Sequence, residues 1–119
     1  LTGGFTCFIP LAYQPANNAL KASGPDGLTV LRVMALSRLF LDNIPHLKAY
    51  WAMLGIKAAQ MALWAGADDF DGTIIEERIG HAAGADTPKG LTLTELRQAI
   101  EAAGMVAVER TPDFRPVPR

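Results

Sequence analysis

Asp68, Asp69 and Asp71 are the densest chemical signal in the chain, and they lead directly into Gly72 and Thr73-Ile-Ile-Glu76. The four-residue run fits a capping box, in which the Thr73 hydroxyl and the Glu76 carboxylate satisfy orphan N–H groups at a helix start. Carboxylates at the point where a strand gives way to a helix sit where α/β proteins bind ligands. There they can accept from ribose hydroxyls or brace a cation. A hard-cation site is also open to three acids, although the spacing of a calcium loop is incomplete. The same residues equally suit an ordinary acidic first turn.

Lys48 is the cation nearest in kind to such a role. His46 to Met53 (His-Leu-Lys-Ala-Tyr-Trp-Ala-Met) reads as a strand. Period two then puts His46, Lys48 and Tyr50 on one face and Leu47, Ala49 and Trp51 on the other. A charged residue inside a buried strand needs a partner, so Lys48 is expected either to meet a ligand carboxylate or to be braced by Asp68, Asp69 or Asp71. His46 lies at the beginning of that strand. Gln14, Asn17 and Asn18 follow an earlier strand and offer hydrogen bonds to a carboxylate or ribose, while also being common turn formers. Arg38 is placed to brace a buried acid. His81 reads as exposed, and Cys7, inside a strand, reads as a small buried hydrophobe.

The elements that position these groups alternate. Phe5 to Leu11 is a short apolar run ending near Pro10, as a buried strand does. Ala12 to Gly27 is a long loop with the turn signal Pro25-Asp26-Gly27, and loops of this length are commonly functional. Leu28 to Leu41 is a helix capped by Asp26 and apolar on most sides, so neighbours are expected on more than one flank. After the strand at His46 come a small-residue helix, Gly55 to Ala67, and a third strand through Asp71. A helix from about Ile74 to Ala83 follows. Thr92-Leu-Thr-Glu95 is a second capping box and opens an amphipathic helix with Leu93, Leu96, Ile100 and Ala103 inward. Met105 to Val108 reads as a short strand, and the proline-bearing tail from Arg110 to Arg119 as extended.

Strands alternating with helices argue for a parallel sheet. The fold class is therefore α/β. Three such units leave both sheet edges open, and the pattern is that of the last third of a (β/α)8 barrel. Residues 1–90 would be the barrel portion, and 91–119 the terminal helix, short strand and tail.

Half of the 119 residues are hydrophobic and 19% are charged, which is a globular composition. A net charge of −1 gives no reason to expect nucleic acid or an anionic membrane as partner. No apolar run reaches the length of a membrane span. One cysteine gives no sign of a disulfide framework, and no targeting segment is visible. The start at Leu1-Thr-Gly-Gly reads as a cut from something longer.

Three motifs, in order, carry a family resemblance. Ala67-Asp-Asp-Phe-Asp-Gly-Thr-Ile-Ile-Glu-Glu-Arg-Ile-Gly-His-Ala-Ala-Gly-Ala-Asp-Thr-Pro88 resembles the final barrel strand and helix of the aminofutalosine synthases. Leu47-Lys-Ala-Tyr-Trp-Ala-Met-Leu-Gly55 is similar to their preceding strand, and Thr2-Gly-Gly-Phe-Thr-Cys-Phe-Ile-Pro-Leu-Ala12 to the one before it. These are radical S-adenosylmethionine (SAM) enzymes of the futalosine route to menaquinone. The sister enzymes, cyclic dehypoxanthinylfutalosine synthase and the radical enzymes of deazaflavin synthesis, typically carry Ser-Trp where this chain has Ala49-Tyr-Trp51. They also lack the Asp-Asp-x-Asp-Gly-Thr run.

The resemblance implies a transferase in the cytoplasm that adds a 5′-deoxyadenosyl radical to 3-[(1-carboxyvinyl)oxy]benzoate and yields 6-amino-6-deoxyfutalosine. It further implies a 4Fe–4S cluster and SAM, held through C-x3-C-x2-C in a preceding part of the barrel, and a reductant such as flavodoxin or ferredoxin. One cysteine cannot supply three thiolates, so these 119 residues alone are expected to be inactive. The pocket residues expected here are Gln14, Asn17, Asn18, Lys48, Tyr50, Asp68, Asp69, Asp71, Thr73 and Glu76. One loop departs from the family: His-Pro-Glu-Asn-Thr is replaced by Gln14-Pro-Ala-Asn-Asn18, and Gln14 is closer to the cyclase sister. A non-catalytic α/β interaction module is the alternative for a complete chain.

Overall fold

A computed structural model of the chain describes residues 3–16, 19–20, 22–74, 82 and 90–118. Asn17, Asn18, Glu76 and His81, and most of the helix expected from Ile74 to Ala83, lie outside these residues.

Two parallel strands set the frame: β1 (Cys7–Phe8) and β2 (His46–Leu47), with Cys7 opposite His46 and Phe8 opposite Leu47. On the other flank of β2 the chain at 67–70 adds a single parallel bridge, Lys48 to Asp69. That bridge is held by Ala49 N–H donating to the Asp69 carbonyl at 2.8 Å and Asp69 N–H to the Leu47 carbonyl at 3.3 Å. Two of the three expected strands are thus present, parallel and shorter than expected, and the third is reduced to that single parallel bridge among the described residues.

Helix α1 (Gly27–Phe40) joins β1 to β2. Its cap is the expected one, since the Asp26 carboxylate accepts from the Thr29 N–H at 2.7 Å. Only Met34 is fully buried, while Leu36, Leu39 and Phe40 are 53%, 75% and 78% exposed, so one flank is covered within the chain and the other is open.

The strand expected to run to Met53 ends early. After Tyr50 the chain makes one helical turn, α2 (Trp51–Leu54), closed by Gly55 at φ +78° and followed by α3 (Ile56–Trp64). The cause is tertiary. Trp51 is fully buried, and its indole N–H donates to the Gly72 carbonyl at 3.2 Å, which draws the chain out of the sheet direction.

Helix α4 (Leu93–Ala102) has both halves of its capping box: Thr92 N–H donates to the Glu95 carboxylate at 2.8 Å, and Glu95 N–H donates to the Thr92 hydroxyl at 3.3 Å. Leu96, Ala99 and Ala103 are buried, but Leu93, expected inward, is 49% exposed because the first turn overhangs a cleft. The core is rich in small residues. Ala49, Ala52, Ala59, Ala62, Ala67, Ala99 and Ala103 are buried beside Met34, Leu47, Trp51, Leu63, Phe70 and Leu96. Short side chains bring α3 close enough to α4 for Gln60 Nε2 to donate to the Ala99 carbonyl at 2.8 Å.

The two expectations for the end of the chain are corrected. Met105 to Val108 forms no strand among the described residues, and Val106 and Val108 are 87% and 62% exposed. The tail is not extended. It folds back as a hairpin in which Arg110 bridges Pro116 antiparallel, Val117 N–H donates to the Glu109 carbonyl, and Thr111 N–H to the Arg115 carbonyl, both at 2.9 Å. The Thr111 hydroxyl bonds the Asp113 carboxylate and accepts from Arg115 N–H, closing the turn from inside. Phe114 takes φ +62° at its tip, a conformation no local rule assigns to a bulky aromatic residue.

Candidate functional site

Alternation along β2 holds as far as the sequence rule requires: Leu47 and Ala49 are buried, and His46, Lys48 and Tyr50 are half-buried on the opposite face. Since residues opposite each other in a parallel pair point the same way, Cys7 lies on the His46 face and Asp69 on the Lys48 face. The polar face therefore runs from His46 and Asp68 at the amino-terminal end of the strands to Lys48 and Asp71 further along.

The three acids divide. Asp68 accepts from Arg38 Nη2 at 2.6 Å and from Leu47 N–H at 2.7 Å, and its second oxygen lies at hydrogen-bond distance, 2.7 Å, from His46 Nδ1. Arg38 is fixed in turn by donating to the Gly66 carbonyl at 2.8 Å and the Pro45 carbonyl at 3.2 Å. It reaches them because Gly66 has no Cβ: one built there would fall 2.9 Å from Arg38 Cβ and Cγ, on a backbone of φ +108°. Arg38 is expected to brace a buried acid; it does brace an acid, Asp68, but that side chain is 41% exposed.

Asp69 and Asp71 serve Lys48. Lys48 Nζ lies 3.1 Å from Asp71 Oδ1 and 3.5 Å from Asp69 Oδ2. The Lys48 and Asp69 side chains are only 12% and 10% exposed, so neither charge is left to water. Asp71, at φ +68°, also accepts from Gly72 N–H at 3.0 Å through the same oxygen. The bracing of Lys48 expected from sequence is therefore present.

The sequence reading missed the residue that completes the group. Arg110 donates from Nε to Asp69 Oδ1 at 2.6 Å and from Nη2 to Asp69 Oδ2 at 2.9 Å, a two-pronged contact across 41 positions. Its guanidinium carbon stands 4.2 Å from the Phe114 ring centroid, and that ring stacks on His46 with centroids 4.0 Å apart at 9°. Burial pushes the Asp69 carboxyl up, but the Arg110 hydrogen bonds and charge, with Lys48, outweigh it and hold it below the usual carboxylate range. The Arg110 guanidinium is raised correspondingly, first by its hydrogen bonds to Asp69. The nearest signal in the sequence was charge counting, since two acids on one buried face call for two cations and Lys48 is only one.

Of the other expected pocket residues, Tyr50 packs half-buried against the core. Thr73 is exposed and lines, with Asp69, Asp71 and Arg110, a cleft of about 540 Å³ between the acidic segment, α4 and the chain leading to the hairpin. Gln14 opens instead on a separate hollow of about 300 Å³ with Tyr13, Met53 and Leu54. The structure thus brings Lys48, Asp69 and Asp71 together and leaves Gln14 apart.

Cys7 is half-buried, and burial pushes its thiol up, which disfavours the thiolate a metal requires. Among the described residues no cluster of three or more His, Cys, Asp or Glu is placed to hold a metal ion. An iron–sulfur cluster therefore does not fit the residues described. No helix of the described residues is long and apolar enough to cross a membrane.

The aminodeoxyfutalosine synthase of Thermus thermophilus is 51% identical over 98% of this chain and 32% of its own length. That of Streptomyces coelicolor is 43% identical over 92% of the chain and 31% of its own length. The 5-amino-6-(D-ribitylamino)uracil–L-tyrosine 4-hydroxyphenyl transferase of Methanoculleus marisnigri is 40% identical over 98% of the chain and 33% of its own length. The chain thus spans about a third of the length of these curated relatives. A family model described as the CofH/MqnC C-terminal region matches residues 2–119, and the chain belongs to that family.

Proposed function

We propose that the chain is the C-terminal third of a radical SAM transferase of the aminofutalosine synthase type, and that its strand ends form part of the wall holding the substrate. The observation that carries this reading is the 51% identity to an aminodeoxyfutalosine synthase along 98% of the chain. In the whole enzyme a cluster and SAM, held by a preceding part of the protein, would supply the radical, one electron from the cluster cleaving SAM to methionine and a 5′-deoxyadenosyl radical. The acceptor is 3-[(1-carboxyvinyl)oxy]benzoate and the product 6-amino-6-deoxyfutalosine. Flavodoxin or ferredoxin serves as reductant, and the cytoplasm is the compartment.

The part taken by these residues is binding and orientation. Lys48 lies towards the carboxyl-terminal ends of the strands, and Asp71 takes one of its three N–H donors, so its ammonium is suited to a substrate carboxylate. Asp71 and Thr73, on the cleft beside it, are suited to ribose hydroxyls. Exposed apolar side chains support a partner within the same protein: Phe5, just before β1, and Leu36, Leu39 and Phe40 on α1 are 72%, 53%, 75% and 78% exposed. The remaining strands of a (β/α)8 barrel would cover them.

A second reading, the cyclic dehypoxanthinylfutalosine synthase, is favoured by one feature, Gln14 in the loop after β1. Deazaflavin synthesis is a third, through the 40% identity to a hydroxyphenyl transferase. The readings separate by product. The full-length protein, reconstituted anaerobically with iron, sulfide, SAM and reductant, is expected to convert 3-[(1-carboxyvinyl)oxy]benzoate to aminofutalosine. Turnover of dehypoxanthinylfutalosine or of tyrosine with ribitylaminouracil in its place would overturn the reading.

A further inference from the structure

We infer that the C-terminal hairpin, residues 109–117, is a positioning clasp whose Arg110 neutralises Asp69 and so frees Lys48 to bind an anionic group. The inference rests on the reading of Lys48 given above and adds a residue and a purpose to it.

Charge is the first argument. Lys48 faces two carboxylates, Asp69 and Asp71, in a setting where both its own side chain and that of Asp69 are nearly closed to solvent. With only Lys48 opposite them the group carries a net negative charge and repels an anion. With Arg110 it is formally neutral. Geometry gives the same division of labour. Arg110 takes both oxygens of Asp69 at hydrogen-bond distance, whereas Lys48 stands 3.5 Å from that carboxylate, beyond a good hydrogen bond, and bonds Asp71 instead. Asp69 is thus Arg110's partner, and the ammonium is displaced towards the carboxyl-terminal ends of the strands.

The hairpin is built to deliver that guanidinium. Two non-glycine residues, Asp71 and Phe114, have left-handed backbone among the described residues, and both belong to this group. Such strain persists where surrounding contacts over-determine it. Phe114 is held against His46 on one strand and under Arg110, so the hairpin grips β2 and the acidic segment together. Arg110 touches no proposed reacting atom. It acts through Asp69, and is a positioning residue.

Equilibrium dialysis of 3-[(1-carboxyvinyl)oxy]benzoate against the full-length protein, without reductant, tests this by binding alone. Lys48→Met is expected to weaken binding about tenfold or more. Arg110→Met is expected to weaken it about tenfold although Lys48 is intact, with Arg110→Lys in between, since lysine restores charge without the fork. Adding Asp69→Asn to Arg110→Met is expected to return affinity to within about threefold of the starting protein, because the extra negative charge is gone. Asp69→Asn alone, the mildest change to the fold, is expected to bind at least as tightly as the starting protein. Weaker binding by Asp69→Asn, or a double variant no better than Arg110→Met, overturns the clasp. If Lys48→Met weakens binding while Arg110→Met does not, the clasp fails and the reading of Lys48 stands. Unchanged binding by Lys48→Met removes both.

Discussion

Arg110 grips Asp69 through both carboxylate oxygens, at 2.6 and 2.9 Å, and so ties the last hairpin of the chain to the edge of its parallel sheet. The contact is intimate enough to matter energetically, because the Asp69 side chain is 10% exposed and that of Arg110 24%. Removing one partner of such a pair leaves an uncompensated charge in a poor solvent.

Arg110→Met should therefore destabilise the protein by about 2–3 kcal/mol, somewhat less than a fully buried pair because Lys48 still faces Asp69. Urea denaturation followed by fluorescence measures it. A change within about 0.5 kcal/mol would place the pair with ordinary surface ion pairs.

The same pair sets an acid limit. The Asp69 carboxyl is held below its usual range, so near pH 4 the folded state binds fewer protons than the unfolded one. Its stabilisation is complete above the unfolded value of about 3.9 and is lost as pH falls through the lower folded value. The stability gap between the starting protein and Asp69→Asn should thus be level from about pH 5 to 8 and shrink below about pH 4. A gap that closes between pH 6 and 8 would contradict this assignment.

Gly66→Ala should cost about 1–3 kcal/mol. The new methyl would press on Arg38 Cβ and Cγ at 2.9 Å from a backbone of φ +108°, and relief requires Arg38 to leave Asp68. Thermal denaturation checks the cost. If Arg38→Ala, Gly66→Ala and the double variant prove strictly additive, the two residues are not coupled as the structure has them.

Trp51→Phe should cost about 1–2 kcal/mol, combining the lost indole bond to Gly72 with a small void. It should also raise amide exchange at Gly72 and Thr73, since the Trp51 indole is what ties the Gly72 carbonyl down. Unaltered exchange there would show that the loop is held by something else.

The parts of this fold that were legible in the sequence are the local ones. Asp26 three residues before Thr29, and Thr92 three before Glu95, specify helix starts through bonds made inside one turn, and both are made as read. Period two correctly separated Lys48 from Leu47 and Ala49. It misled beyond Tyr50, because Trp51 continues the pattern while its indole bond to Gly72, 21 residues on, bends the chain into a helical turn. The hairpin was illegible for a similar reason. A phenylalanine at φ +62° has no local signature, and Arg110 finds Asp69 across 41 positions. The acids were found as a cluster, but their division, Asp68 to Arg38 and His46, Asp69 and Asp71 to Lys48 and Arg110, depends on how four separate segments meet.

Steady-state kinetics of Lys48→Met in the full-length, reconstituted enzyme would show whether Lys48 binds substrate. If Lys48 holds the substrate carboxylate, KM for 3-[(1-carboxyvinyl)oxy]benzoate should rise about tenfold to a hundredfold, kcat should fall less, and Lys48→Arg should keep part of the affinity. An unchanged KM, with protein folded and SAM still cleaved, would contradict the account and leave the Lys48, Asp69, Asp71 and Arg110 group as a structural brace.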